Sequence, residues 1–258
     1  MSAQLQGLRV LVTRSASQAS VLARKIGAAG GEAVLLPGIE IVEKSATEIC
    51  AGFAAAADAD LLVFVSPNAA RIALAALADA AMLPAHARVA AVGAGTAREL
   101  KKQGVREIIA PRLGSDTEAL LECPEIEALG AGTRAVIVRG EGGRELLART
   151  LRSRGIDVRF IECYRRLRPA RDAAGLRPLW RDGAFAAWTA TSVEIVDNLF
   201  NLAGEEGRTC LLGTPLFVTH PRIAGRAFAL GVRTVFVSGP GDAGLLEGIL
   251  TWFCNLRP

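Results

Sequence analysis

Residues 9–39 read RVLVTRSASQASVLARKIGAAGGEAVLLPGI, and residues 134–164 read RAVIVRGEGGRELLARTLRSRGIDVRFIECY. A shift of 125 residues lays Arg9, Arg14, Leu22, Ala23, Arg24 and Gly30 on Arg134, Arg139, Leu147, Ala148, Arg149 and Gly155. Each copy holds a short β-branched run, a turn of small residues, an amphipathic stretch of helical spacing, a glycine stop and a second strand-like run. Two strands joined through a helix in this way lie parallel in one sheet, so the repeat predicts duplicated β-α units.

The correspondence continues along the chain. FVSPNAARIALAAL (64–77) matches AAWTATSVEIVDNLF (186–200), each a strand, a hydroxyl-rich turn and a helix. VAAVGAGTARELKKQGVREIIA (89–110) matches LFVTHPRIAGRAFALGVRTVFVS (216–238), each a strand, a turn, a helix, Gly-Val and a strand. The fold class expected is α/β, with two similar parallel-sheet domains. Taken alone, the repeat pairs residues 1–120 with 121–258.

Composition sets the outer limits. The chain has 258 residues, 51% hydrophobic and 22% charged, with a net charge of +4. That is enough for one large domain or two ordinary ones, and too apolar for intrinsic disorder. The opening residues Met1–Arg9 lack the apolar stretch of a signal peptide, and no uninterrupted apolar span of membrane-crossing length occurs, since Asp58 and Asp60 break the Ala-rich stretch 51–65. Five scattered cysteines without a C-x-x-C pair read as buried free thiols of a reducing cytoplasm. Two histidines, His86 and His220, with no clustered cysteines argue against a transition-metal site. Of 30 cationic residues only Lys25, Lys44, Lys101 and Lys102 are lysine, and residues 134–182 hold 13 Arg against six acidic residues. Arginine favours bidentate carboxylate or phosphate partners. With 5% aromatic residues and no recognition motif, nucleic acid is not the expected partner.

Open α/β sheets bind ligands at the carboxyl ends of their strands, in the strand-to-helix turns. Six such turns are readable: Thr13-Arg14-Ser15, Ser66-Pro67-Asn68, Gly93-Ala94-Gly95-Thr96, Arg139-Gly140 through Arg144, Thr189 through Thr191-Ser192, and His220-Pro221-Arg222. Each Ser, Thr, Asn or His there is a helix cap or a ligand contact. As a set, free helix N–H groups beside arginines form anion sites and point to a ligand with several negative groups. Gly93-x-Gly95-Thr96 begins like a dinucleotide fingerprint, but Arg98 stands where the third glycine belongs. Neither a P-loop nor a Ser/His/Asp nucleophile arrangement is present. Tyr164, the only tyrosine, closes the second copy's β-strand just before Arg165, Arg166 and Arg168. It is either a half-buried strand residue or a proton donor, since a phenol keeps its proton at neutral pH.

LVTR-x3-Q (11–18), FVSPNA (64–69), VGAGTA (92–97), VRGEGGRELL (138–147) and ECYRR (162–166), in this order and spacing, resemble the uroporphyrinogen-III synthase family over essentially the whole chain. The resemblance implies a cofactor-independent, metal-free lyase of tetrapyrrole (haem, sirohaem, cobalamin) biosynthesis. It would act on hydroxymethylbilane, a linear tetrapyrrole with eight carboxylates, losing water, closing the macrocycle and inverting ring D. It further implies a cytoplasmic monomer of two domains, 1–37 with 167–258 and 38–166. These would be joined by a two-stranded linker near 37–42 and 162–166, with the substrate cleft between them. The family's proton donor maps to Tyr164, and its anion-contacting turns map to Ser66, Thr96 and Thr189. Where many members have a Gly-x-x-Thr turn, this chain has His220-Pro221-Arg222-Ile223, so Arg222 or His220 is expected to serve the carboxylates there. The competing expectations are a small-molecule-binding module and a nucleotide-binding α/β protein.

Overall fold

The structure is a computed structural model and describes residues 4–114, 116–171, 173–182 and 185–255. The chain begins β1 (Arg9–Val12), α1 (Ala16–Ala28), β2 (Glu32–Leu35), β3 (Glu40–Glu43), α2 (Ala46–Ala55), β4 (Leu61–Phe64) and α3 (Pro67–Leu77). After a 3-10 turn come β5 (Arg88–Ala91), α4 (Ala94–Lys102), α5 (Thr117–Leu121), α6 (Pro124–Glu127), β6 (Arg134–Gly140) and α7 (Leu146–Ser153). The remainder is β7 (Asp157–Leu167), α8 (Ala173–Asp182), β8 (Ala187–Ala190), α9 (Val193–Leu202), α10 (Gly204–Gly213), β9 (Leu216–Val218), α11 (Pro221–Ala229), β10 (Val235–Val237) and α12 (Gly241–Asn255). No helix among the described residues is long and apolar enough to cross a membrane.

The residues form two compact units, one of 1–40 with 167–258 and one of 41–166. The first unit contains the sheet ordered β10-β9-β8-β1-β2, and the second is built on the sheet ordered β3-β7-β6-β4-β5. In the first sheet β1 pairs in parallel with β2 and with β8, β8 with β9, and β9 with β10. In the second, β4 pairs in parallel with β5 and β6, and β6 with β7. Parallel sheets are covered on both faces, so their inner strands are apolar at every position rather than alternately. All four residues of β4, Leu61-Leu62-Val63-Phe64, are buried. Leu62 and Phe64 join a core with Ile49 and Phe53 of α2 and Ile72 of α3. Leu61 and Val63 join a separate core with Leu120 of α5 and Leu147 and Leu151 of α7. In the first unit Val10 and Val12 pack with Leu22 and Ile26 of α1 and Leu245 and Ile249 of α12.

The repeated glycine does the same structural job at the ends of four helices, α1, α4, α7 and α11. Gly30, Gly104, Gly155 and Gly231 each sit at positive φ, between 77° and 94°, just past a helix end. In each case the following N–H reaches back across the last turn: Gly31 to the Ile26 carbonyl, Val105 to Leu100, Ile156 to Leu151 and Val232 to Ala227. This is the Schellman ending, in which the left-handed residue carries no Cβ penalty if it is glycine. After Gly30, Gly155 and Gly231 it turns the chain directly into β2, β7 and β10, while after Gly104 the chain makes only an isolated bridge from Ile109 to Ala90.

Candidate functional site

In each sheet the connections diverge at one place. In the second unit β6 runs through α7 to β7 on one side, while β4 runs through α3 to β5 on the other. The crevice beyond the carboxyl ends of β6 and β4 is therefore the place where open α/β sheets bind ligands. Tyr164 reaches this point from the neighbouring strand. β6 and β7 run in register from Arg134↔Asp157 to Arg139↔Glu162, and then the register slips so that Gly140 faces Tyr164. Cys163 is the extra residue. A bulge of this kind re-aims a side chain, and it is rare between parallel strands. Cys163 and Tyr164 are consecutive, yet both side chains belong to the same buried cluster as Phe64 and Ala69. Without the slip, alternation would send them to opposite faces.

The bulge is fastened on both sides. The Lys44 N–H donates to the Cys163 carbonyl at 2.8 Å, and the Glu141 N–H donates to the Tyr164 carbonyl at 2.7 Å. The tyrosine is only 3% exposed, and its phenolic oxygen lies 3.0 Å from Ser66 Oγ. Ser66 is also the N-cap of α3, its Oγ accepting the Ala69 N–H at 3.1 Å. Burial pushes the Cys163 thiol up to about 12, so beside the phenol it is an inert apolar group.

The other candidates of this unit fall into two sets. Asn68 and Thr96 are buried near the amino ends of α3 and α4. The N-cap of α4 is Gly93, which has no side chain to offer, so the first N–H groups of the helix lack a side-chain cap. Arg139, in contrast, is already engaged. Its guanidinium donates to Glu145 at 2.7 Å and Glu162 at 3.4 Å and lies 3.8 Å from the Phe160 ring centroid. This pairing holds the Glu145 carboxyl below its ordinary range. Arg144 grips Glu118 with two bonds, at 2.8 and 2.5 Å. Sequence reading missed the role of Glu162, whose carboxylate also takes the Gly142 N–H at 3.4 Å and faces Lys44 Nζ at 3.6 Å. The pair comes from the register of β6 on β7, which sets Arg139 opposite Glu162, and the repeat has no counterpart of it because Pro37 stands where Glu162 would be matched.

In the first unit the connections diverge between β1 and β8. Thr13 and Thr189 stand there, both fully buried. Thr13 Oγ1 donates to the Thr189 carbonyl, and Thr189 Oγ1 to the Leu11 carbonyl at 3.4 Å. Both hydroxyls thus stitch the two strands together. Arg14 pairs with Asp242 at the start of α12 and donates to Gln18 at 3.1 Å. Ser192 caps α9 through the Ile195 N–H at 3.2 Å, and Thr191 beside it is half-buried. His220 caps α11, its Nδ1 accepting the Arg222 N–H at 3.1 Å, while the Arg222 side chain is exposed. Among the described residues no group of three or more His, Cys, Asp or Glu side chains is placed to hold a metal ion.

Comparison with known proteins gives one consistent result. The sequence profile of the family described as uroporphyrinogen-III synthase HemD matches residues 20–247. The uroporphyrinogen-III synthase of Salmonella typhimurium is 33% identical over 238 residues, which is 91% of this chain and 96% of that protein. The Escherichia coli uroporphyrinogen-III synthase is 31% identical over the same shares. Among solved structures, a mutant uroporphyrinogen III synthase from the extremely thermophilic bacterium Thermus thermophilus superposes with a TM-score of 0.63 at 20% identity, over 97% of this chain and 100% of that one. At that identity the likeness concerns the fold: two parallel-sheet α/β domains. The matches of sequence carry the assignment, and by them the chain belongs to the uroporphyrinogen-III synthase family.

Proposed function

We propose that this chain closes hydroxymethylbilane into uroporphyrinogen III, as a lyase that removes the terminal hydroxyl as water and inverts ring D. Family membership supports the reaction. The observation that carries the mechanism is the single tyrosine, whose phenol stands at the divergence point of its sheet with its oxygen 3.0 Å from Ser66 Oγ.

The phenol hands its proton to the departing hydroxyl, which leaves as water, and the carbon it leaves becomes an azafulvene cation. That carbon bonds to the substituted carbon of ring D. The resulting spiro intermediate breaks one carbon–carbon bond and recloses, and the final loss of a proton restores the phenol. Ser66 sets which way the tyrosine proton points. One lone pair of its Oγ accepts the Ala69 N–H, and its own proton is free to donate to the phenol oxygen. In that arrangement the phenolic proton faces the leaving group, and the serine steadies the negative charge that develops on the phenol. General-acid help of this kind contributes roughly 10²–10⁴-fold. The larger share is orientation of ring D, for which near-attack geometry can supply ~7–11 kcal/mol.

The carboxylates of the substrate are assigned to Asn68, Gly93 and Thr96 in one unit and to Thr191, Ser192 and Arg222 in the other. Arg139 and Arg144 are given a supporting role, because their guanidiniums are already neutralised by Glu145, Glu162 and Glu118. Thr13, Thr189 and Arg14 hold the first unit's divergence point in shape. Spread over many contacts, binding loses little with any one of them, so single substitutions in the carboxylate set should raise KM only modestly. The test is incubation of hydroxymethylbilane with the protein, oxidation of the products and chromatographic separation of isomers I and III. Isomer III rising with protein concentration supports the proposal, and isomer I alone at the spontaneous rate contradicts it.

A further inference from the structure

Gly140 lies in a glycine-rich turn whose composition suggests a backbone cradle for an anion, and the structure gives it a different place. Its backbone is not in the left-handed region, unlike that of Gly142 at φ +67° and Gly143 at φ +103°. It is buried, whereas residues 141–144 are exposed. The reason for glycine is therefore neither conformational freedom nor access for a ligand. A Cβ added at Gly140 would lie 2.5 Å from Tyr164 Cε2, 2.6 Å from Cζ and 3.0 Å from the phenolic oxygen. Real Cβ contacts do not come that close, and the ring is too buried to swing aside without disturbing the packing around it.

We infer that Gly140 is a positioning residue: the missing side chain, together with the bulge at Cys163, forms the seat on which the Tyr164 ring rests at hydrogen-bond distance from Ser66. The two features come from adjacent strands and meet at the register slip Gly140↔Tyr164. A methyl group at position 140 lifts the ring off β6 and stretches or breaks the bond to Ser66. The catalytic consequence rests on the function proposed above, whereas the seat itself is a statement about this chain alone.

The variant Gly140→Ala tests both. Because the chain has one tyrosine, ring-labelled tyrosine gives a single NMR reporter of Tyr164. In Gly140→Ala that resonance should move, with the far-ultraviolet circular dichroism retained. A displacement of about 1 Å should lower the rate of isomer III formation by roughly 10²-fold. In a Tyr164→Phe background the same substitution should change the residual rate less than about twofold, since positioning has no hydroxyl left to act on. In a Tyr164→Leu background, which removes the atoms Cε2, Cζ and the hydroxyl, Gly140→Ala should no longer destabilise. If Gly140→Ala does not fold with the tyrosine present, recovery of folding with Tyr164→Leu still establishes the seat. An unmoved tyrosine resonance, an equal rate loss in the Tyr164→Phe background, or equal destabilisation in the Tyr164→Leu background overturns the inference. If the parent protein makes no isomer III, the functional reading fails, and the resonance and stability measurements still decide the seat.

Discussion

Ser66→Ala removes two interactions at once, and the chain supplies a control for one of them. Ser66 and Ser192 are N-caps with nearly identical backbones, φ −155° and ψ 156° against φ −153° and ψ 157°. Each accepts the N–H three residues on, at 3.1 and 3.2 Å. Only Ser66 also meets a phenol, at 3.0 Å. Loss of a serine cap costs about 1 kcal/mol. A buried neutral hydrogen bond adds ~0.5–1.5 kcal/mol, with the phenol left unpaired when its partner goes. Ser192→Ala should therefore cost about 1 kcal/mol and Ser66→Ala ~1.5–2.5 kcal/mol. In a cycle with Tyr164→Phe the coupling should be ~0.5–1.5 kcal/mol. Urea unfolding followed by circular dichroism reads these values. All three tryptophans, Trp180, Trp188 and Trp252, lie in the first unit, so their fluorescence follows that unit separately. Equal costs for the two serine variants together with zero coupling would show that the Ser66–Tyr164 contact contributes nothing.

Four further outcomes follow from the geometry. Asp60 takes two bonds from the Arg134 guanidinium and one from its N–H, which hold its carboxyl at about 2. A depressed carboxyl stabilises the fold above its unfolded value near 4 and loses that contribution as pH falls towards 2. Asp60→Asn should therefore lower the urea midpoint at pH 7 and leave it unchanged below pH 2. Phe64→Ala empties a fully buried site between α2 and α3 and should cost ~3–5 kcal/mol in the same titration. Iodoacetamide at pH 8, read by mass spectrometry, should modify exposed Cys254 readily and leave Cys163 untouched until unfolding, because the latter is buried and its thiol is raised to about 12. Tyr164→Phe should fold normally and lose roughly 10²–10⁴-fold in rate, and near-parental activity in that variant would remove the phenol from the mechanism.

The elements themselves were legible because they are local. The β-branched runs, the capping serines at 66 and 192 and the glycines at 30, 104, 155 and 231 each act within a few residues of their own position. Partnership was not legible. A repeat identifies equivalent strands but does not say which strands pair, and β1 pairs with β8 across more than 170 residues. A division into residues 1–120 and 121–258 accordingly differs from the compact units, which gather residues 1–40 with 167–258. The same limit applies to side chains. Arg139 and Arg144 look free in a turn, yet Glu145, Glu162 and Glu118 neutralise them in the folded chain. Gly140 looks like part of a flexible loop because nothing local reveals that a tyrosine from the next strand lies over it. Even the bulge that turns Tyr164 depends on a slip between two strands, which no property of either strand announces.

Ring-D inversion with Tyr164 as proton donor is read most directly from the isomer ratio formed from hydroxymethylbilane at increasing concentrations of the protein and of its Tyr164→Phe variant. Isomer III should rise in proportion to the parent protein, with a far smaller slope for the variant. Isomer I at the spontaneous rate, unchanged by either protein, would contradict it.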